Sequence, residues 1–538
     1  MTRKTSFVRS VLAWLGVLCA LAILCAGCGK QAAGDDNVFR YPLVTRPTHL
    51  DPAQVQDGDT IDLLLQVFEG LVKWSPENEV VPNLAERWEV LEGGRLYRFT
   101  IKKGVKFHNG DELTAEDFVY SFDRAVSREM KSGTAINYLF DIVGARERWE
   151  GKSDRLEGVK APEPYVLEIR IDQPKAYFLA KLTYPNAYAV NRRAIEEAGG
   201  GPMTDIRAVV GTGPFKLTEY NPDSIAVLTA FDDYHGGRPK LDRIERPIVI
   251  EATTRYDLYK RGRLDLLQLD KAQLVAAEKD PELSKHIHHF DRPSVYYLGM
   301  NPLGAPVFAD LRVRQAFAMA LDKGAIIESA LEGKVPRADC IVPPKVPGHD
   351  PDVRIYPFDP VKARALLAEA GFPGGKGFPK LQFSFREGRP DVRLVAEVIQ
   401  RQLAQNLGVE VQLRPLEWGS YLEAYNNKSL GLFHMRWMAD YLDPQDFLSV
   451  MLTTDGGENK VGYSNKEFDR LCALADVEQD PQRRVELYRQ AQRIALHDAP
   501  WVPIYFQRDP ELIRPGVTGI QDSLLGHLPH VHTKVSRK

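Results

Sequence analysis

The sequence predicts an α/β fold in which mixed β-sheets are flanked by helices, divided into two or three lobes. The first observation is length, since 538 residues are too many for one hydrophobic core. The second is periodicity, because segments of period-two alternation follow segments of helical periodicity from Val38 onward. Antiparallel segments lie between these units, so the sheets are expected to be mixed.

The chain opens with the pattern of an exported protein. Basic residues precede an apolar run that ends in Ala26-Gly27-Cys28, the order of a secretory signal with a lipid-modified cysteine. This predicts a lipoprotein signal peptide over residues 1–27, lipidation of Cys28 and a polar tether over 28–36. Cys25 stands where such signals usually carry leucine, and an ordinary cleaved signal or a retained membrane helix are the alternatives.

Local patterns then predict individual elements. Residues 95–101 alternate as a half-buried strand, and residues 105–107 form another short strand between two turns. Thr114 begins a helix whose apolar face contains Phe118 and Phe122. Four more amphipathic helices are predicted over residues 311–330, 360–370, 393–407 and 481–496.

The search for catalytic and metal motifs predicts no enzyme, cofactor or metal. The chain lacks the GxSxG and HExxH motifs, and the glycines before Pro214 indicate a turn rather than a phosphate loop. His286, His288 and His289 could hold a metal, although a solvated strand is the favoured interpretation. Cys340 and Cys472 could pair or remain free. A formal charge of −3 argues against nucleic-acid binding.

The neighbours of Asp440 in the sequence make it a candidate ligand-binding residue. It lies between Trp437 and Tyr441, and a carboxylate enclosed by aromatic side chains requires a cationic partner. On composition alone, however, a helix cap or a surface acid is the favoured interpretation.

Many segments resemble one family. Residues 85–111, which include Val105-Lys106-Phe107-His108, and their continuation over 113–121 are similar to the signature of family 5 extracellular solute-binding proteins, the receptors of ABC importers. The chain is identified as a member of that family. Further matching blocks, in family order, are residues 50–52, 68–71, 211–215, 239–242, 297–301, 313–316 and 499–505.

The resemblance implies a periplasmic-binding-protein clamp with two lobes, two crossover strands and an extra domain in lobe one. Lobe one is expected over residues 37–292 plus 507–538, with the extra domain over 69–190, and lobe two over 293–506. The crossover strands are expected at 296–301 and 501–506.

Residues 437–441 resemble the oligopeptide-binding branch, where the residue matching Asp440 pairs with the ligand's α-amino group. Trp418 and Tyr297 match positions that line ligand pockets. Met438 and Ser294 replace two cysteines that pair in some relatives, and His434 replaces a ligand-contacting arginine. The ligand-binding residues expected from the resemblance are Asp440, Trp437, Trp418, Tyr297, Met438, Tyr441 and His434.

The resemblance implies a lipid-anchored receptor in the cell envelope, outside the cytoplasm, that delivers extended oligopeptides to the permease of an ABC importer. A monomer is expected. The alternatives are a receptor for a dipeptide, metal chelate, opine or sugar, and a sensory lipoprotein that uses the same fold.

Overall fold

Two long antiparallel strands organise the computed structural model, which describes residues 37–537. The strands Ile287–Met300 and Trp501–Ile513 pair with each other along most of their length. At one end Trp501–Ile513 also pairs with Leu266–Gln268, and at the other end Ile287–Met300 pairs with Leu432–Met438. The six-stranded sheet is completed by Leu381–Arg386 and Val411–Leu416, which run parallel to each other.

The first half of the chain builds two further sheets. The strand Val38–Arg40 pairs in parallel with Arg243–Pro247, and Ile225–Ala230 and Phe215–Asn221 extend that sheet in antiparallel fashion. The other sheet is antiparallel, and the helix Ala115–Ala125 packs its buried Phe118 and Phe122 into the same core. Its strands, in sheet order, are Ala85–Leu91, Leu96–Ile101, Val166–Arg170 and Val159–Glu163.

The second lobe places helices on both faces of the six-stranded sheet. Phe383, Ile399 and Ile504 belong to the core on one face, while Phe433, Tyr488 and Trp501 belong to the core on the other. The helices are Leu311–Ala320, Lys323–Leu331, Pro360–Glu369, Pro390–Leu407, Trp418–Asn426, Ser449–Leu452, Lys466–Val477 and Pro481–Asp498.

Short elements connect these layers. The remaining α-helices are Gly58–Leu64, Ala135–Tyr138, Ala145–Trp149, Phe178–Lys181, Arg192–Glu197, Ala252–Lys260 and Lys271–Lys279. Two-stranded pairs join Val72–Trp74 to Val80–Pro82, Val517–Thr518 to Lys534–Val535, and Asp522–Ser523 to Gly526–His527.

The predicted fold class is confirmed, because the structure is a two-lobed α/β protein whose mixed sheets are flanked by helices. The segments expected to cross between the lobes lie within the two long strands, except that Asn301 follows the end of the first. The exact lobe and extra-domain boundaries remain predictions. The predicted signal peptide, Cys28 and the tether lie outside the described residues.

Two predicted elements are wrong. The single helix expected over residues 311–330 is two helices, because Leu321 is extended and Asp322 caps a second helix by accepting a hydrogen bond from the Ala325 amide at 3.0 Å. Residues 105–107 form no strand and contribute only an isolated bridge between Lys106 and Glu112. The helix that begins after Thr114 is confirmed, with Asp117 completing a capping box.

The structure also bears on the cysteines, on the possible metal ligands and on membrane spans. Cys340 and Cys472 are both buried and free. Within residues 37–537 no group of three or more His, Cys, Asp or Glu side chains is arranged to hold a metal ion. The same residues contain no helix with the length and apolarity needed to cross a membrane.

Candidate functional site

The segment after strand Leu432–Met438 lies against the antiparallel domain of the other lobe. Tyr441 is 2% exposed, and its ring lies 6.3 Å from the rings of both Tyr138 and Tyr177. Tyr138 in turn stacks on Tyr184 at 3.7 Å. These contacts join the two lobes, so the residues beside Tyr441 are positioned by both of them.

Two carboxyl groups lie next to each other in this segment. The Asp440 amide donates to Oδ2 of Asp446 at 3.0 Å, and the Trp437 indole donates to the same oxygen at 3.2 Å. Asp446 is 1% exposed, and its Oδ1 has no hydrogen-bond partner among the described residues. The Tyr138 side chain of the opposite lobe lies beside the half-buried Asp440 and lowers its pKa by hydrogen bonding. Asp440 and Asp446 therefore form an acidic pair in which Asp446 is buried and Asp440 is half-buried.

The segment that carries this pair is rigidly supported. Arg484 donates to both carboxylate oxygens of Asp443 at 2.7 Å, and Asp443 accepts from the Gln445 amide at 2.9 Å. The Tyr441 hydroxyl donates to Gln445. A bidentate pair of this kind fixes geometry as well as charge.

Burial raises the pKa of both acids. The pKa of Asp440 rises to about 6, because burial and the nearby Glu458 outweigh the hydrogen bond from Tyr138. The pKa of Asp446 lies well above its ordinary value, because burial and the charge of Asp440 both disfavour ionisation. Within the described chain, no Lys, Arg or His nitrogen lies within 4.0 Å of either carboxyl group.

Three arginines lie close together at a second part of the same lobe. Arg386 ends its strand, Arg389 follows three residues later, and Arg436 lies on strand Leu432–Met438. Burial, with the charges of Arg389 and Arg436, lowers the pKa of Arg386. The guanidinium of Arg386 lies 4.4 Å from the ring centroid of Trp418.

Acidic partners are scarce around these arginines. Asp391 lies 3.5 Å from Nε of Arg389, while Arg436 donates to the neutral side chain of Gln507 at 2.9 Å. No carboxylate in residues 37–537 lies within 4.0 Å of Arg386 or Arg436. The arginine group, defined as Arg386, Arg389 and Arg436, therefore carries excess positive charge.

An aromatic wall lies beside the arginine group. Tyr296 stacks on Tyr505 at 4.4 Å and on His434 at 5.6 Å. Tyr296 pairs directly with Arg436 and Tyr505 across the sheet, so these side chains share one face. Burial lowers the pKa of His434 to about 4, and neither its Nε2 nor the Tyr505 hydroxyl has a partner among the described residues. Buried polar atoms of this kind require water or a ligand.

The described site lies almost entirely inside one family match. The model of the bacterial extracellular solute-binding proteins, family 5, matches residues 79–459, which is more than half of the chain. The chain belongs to this family. It is a solute-binding protein and not an enzyme.

Relatives of this solute-binding protein, and solved structures that are similar to it, match it over nearly its whole length. A dipeptide-binding protein of Escherichia coli is 32% identical over 89% of this chain and 91% of its own. A heme-binding protein A of Haemophilus influenzae is 31% identical over 93% and 92%. The solved murein tripeptide-binding protein of Escherichia coli is 25% identical and superposes with a TM-score of 0.81, covering 94% of this chain and 99% of its own.

The solute-binding protein brings most of the expected site residues into two groups. Asp440, Trp437 and Tyr441 lie in the acidic pair's segment, while His434 and Trp418 lie with the arginine group. Met438 pairs directly with Ser294 across the sheet, so the two positions that the family resemblance matched to a cysteine pair are neighbours.

Tyr297 lies elsewhere, in the core behind the sheet. It is fully buried, stacks on Trp501 at 3.7 Å and shares a 3.2 Å hydrogen bond with the Tyr425 hydroxyl. Its alternation with Tyr296 places it on the opposite face of the sheet from Tyr296 and Arg436. The site proposed below is therefore built without Tyr297.

Sequence reasoning missed Asp446, Tyr138 and the role of the arginines. Asp446 follows Asp443-Pro444 in a run that reads as an ordinary turn, and Tyr138 lies about three hundred positions before Asp440. For the arginines, one signal in the sequence was that Arg386 and Arg389 lie three positions apart shortly before the helix predicted over residues 393–407.

Proposed function

We propose that this protein binds short peptides with free termini between its two lobes and delivers them to an ABC importer. The observation on which this proposal depends is that the two ends of the site carry opposite charges. An acidic pair without a basic partner lies at one end, and an arginine group with a deficit of acids lies at the other. A zwitterionic ligand complements both ends.

The acidic end suits an α-ammonium group. A peptide amine has an ordinary pKa near 8, so it is charged at neutral pH. Asp440 is half-buried and therefore accessible to such a group, whereas Asp446 lies behind it. An ammonium group there would supply the cation that the described residues around this pair lack, and buried charges need such partners.

The basic end suits a terminal carboxylate. Guanidinium groups bind carboxylates through two parallel hydrogen bonds. Arg436 and Asp440 are four residues apart, a distance that extended chain spans in at most about 14 Å. A peptide of roughly two to four residues covers that distance. The arginine group thus favours a shorter ligand than the extended oligopeptide expected from the sequence.

The contacts of Tyr441 suggest how the lobes enclose the ligand. The tyrosine lies beside Asp440 in the chain and packs between Tyr138 and Tyr177 of the other lobe. Closure of the lobes would therefore accompany burial of the ligand amine, as in hinge-type binding proteins.

Membrane attachment through a lipid on Cys28 is part of this proposal. It is supported by the Ala26-Gly27-Cys28 ending of the apolar N-terminal run. The Cys28→Ser variant should leave the membrane fraction and keep its ligand affinity. Unchanged partitioning into the detergent phase would contradict lipidation.

An anionic ligand is the second candidate, because one relative is named as a heme-binding protein. The arginine group could hold the carboxylates of such a molecule, but the acidic pair would repel them. The charge arrangement therefore favours peptides.

The deciding experiment combines identification with titration. Mass spectrometry of molecules that copurify with the signal-free protein should detect short peptides. Calorimetric titration should then show binding of trialanine, with losses for N-acetyl-trialanine and for trialanine amide. Equal affinity for all three compounds, or copurified heme, would contradict the proposal.

A further inference from the structure

The second carboxyl group of the site belongs to Asp446, which does not pair directly with a ligand amine. It is 1% exposed, lies behind Asp440 and keeps one oxygen without a partner among the described residues. Its other oxygen accepts from two donors, the Asp440 amide and the Trp437 indole. A buried carboxylate in these surroundings needs either a cation or a proton.

We propose that Asp440 and Asp446 share one proton in the ligand-free protein, and that a ligand ammonium group displaces this proton into solvent as it binds. The inference rests on the proposed function, because it takes the ligand to carry an ammonium group. Asp446 is then a specificity-determining residue that makes ligand affinity depend on pH, although it does not touch the ligand.

Electrostatics favour this arrangement. Two adjacent carboxyl groups in a region of low dielectric cannot both ionise without a cation, so one of them retains a proton. The ammonium group would remove that requirement by supplying a positive charge beside Asp440. The balance is one proton released for one ammonium group bound.

The other charged groups around the pair do not supply the missing cation. Glu458 adds negative charge and is 3.6 Å from Lys460, its own partner. Asp443 is paired with Arg484. The remaining titratable groups that face the pair are tyrosines, namely Tyr138, Tyr184 and Tyr441, and each keeps a raised pKa.

The expected effect lies in a pH range in which the ligand termini and His434 do not titrate. A peptide amine and a peptide carboxyl group titrate near 8 and near 3.5, outside the range from about pH 5 to 7. Burial keeps His434 neutral in that range by lowering its pKa to about 4. Burial also raises the pKa of Glu458, so a change of affinity between pH 5 and 7 reports on the acidic pair where Asp446→Asn reduces it.

The test has one arm without ligand and one arm with trialanine. Infrared difference spectra between the ligand-free wild type and Asp446→Asn should show loss of a protonated carboxyl band near pH 6. Asp476→Asn is the matched control, because burial also raises the pKa of Asp476 to about 6 while its partners are Tyr488 and Ser449. It should lose a band of its own and keep the band that Asp446→Asn loses. If the wild-type spectrum contains no protonated carboxyl band that is missing from the Asp446→Asn spectrum, the shared proton is overturned.

Calorimetry of trialanine binding in buffers with different protonation enthalpies provides the second arm. Near pH 6 the wild type and Asp476→Asn should release a number of protons that approaches one. Asp446→Asn should reduce that release by roughly half or more. Wild-type affinity should weaken below pH 6 by up to about tenfold per pH unit.

The outcomes are distinguishable from failure of the proposed function. Binding of trialanine with heats that do not depend on the buffer overturns the displacement. If trialanine does not bind, the peptide function fails, and the infrared band alone decides whether the pair holds a proton. The wild-type pH profile needs no variant, so misfolding of Asp446→Asn would not protect the proposal.

Discussion

The two charged ends of the site are built on different supports. At the acidic end, Asp446 is 1% exposed and Tyr138 reaches Asp440 from the other lobe. At the basic end, the side chain of Arg389 is 44% exposed, and all three arginines belong to one lobe. Charges in low dielectric interact strongly, whereas exposed charges are screened. The acidic end should therefore determine affinity, and the basic end should mainly orient the ligand.

The largest expected effect follows from loss of the Asp440 charge. Asp440→Asn should weaken trialanine binding by tens to thousands of times, roughly 2–5 kcal/mol, because it leaves a desolvated ammonium group unpaired. N-acetyl-trialanine should bind the wild type poorly and lose little more in the variant. Titration of both compounds against both proteins measures this non-additivity. Losses that simply add would show that Asp440 does not contact the amine.

A smaller effect is expected at the arginine group. Arg386→Gln should weaken trialanine binding by roughly tenfold to a hundredfold, since a charge-assisted hydrogen bond contributes about 1.5–3 kcal/mol. The same substitution should have little further effect on trialanine amide, which lacks the carboxylate. A loss at Arg386 larger than the loss at Asp440, measured by the same titration, would reverse the comparison of the two ends.

The pH dependence of the stability of the ligand-free protein should also distinguish the acidic end of the site from the basic end. The folded-state pKa values of the acidic pair are raised, so its stabilising contribution is present below about pH 4 and is lost as pH rises through 6. Asp446→Asn should therefore be more stable than the wild type by about 1–2 kcal/mol at pH 8, and the difference should shrink toward pH 4. Denaturant unfolding across this range measures the effect, with Asp391→Asn at the basic end as the control. A constant difference would contradict titration of the pair.

The smallest expected effect is that of salt. Raising the ionic strength from about 0.05 to about 0.5 M should slow trialanine association a few-fold, because it screens the exposed arginines. Arg389→Gln should reduce this salt dependence, while Asp440→Asn should leave most of it. Stopped-flow association rates provide the measurement. A salt effect that disappears in Asp440→Asn would place the steering charge at the acidic end instead.

Part of the site was predictable because its chemistry is local. Asp440 stands between two aromatic residues in the chain, and this pattern together with the family resemblance predicted a cationic partner for it. The helix after Thr114 was equally predictable, because capping and apolar spacing are both local. The break between Ala320 and Lys323 was not, because Gln402 of a distant helix bonds the Asp322 amide at 2.8 Å.

By itself, the sequence determined the family and the α/β class, and it predicted that Asp440 binds a cation, because motifs, periodicity and neighbours are properties of the chain. Only the tertiary structure decided that Asp446 lies behind Asp440, that Tyr138 reaches it, and that Arg386 and Arg436 meet. The parallel pairing of Leu381–Arg386 with Leu432–Met438 brings together residues about fifty positions apart. Desolvation, which gives these charges their strength, depends on such non-local contacts and has no local pattern in the sequence.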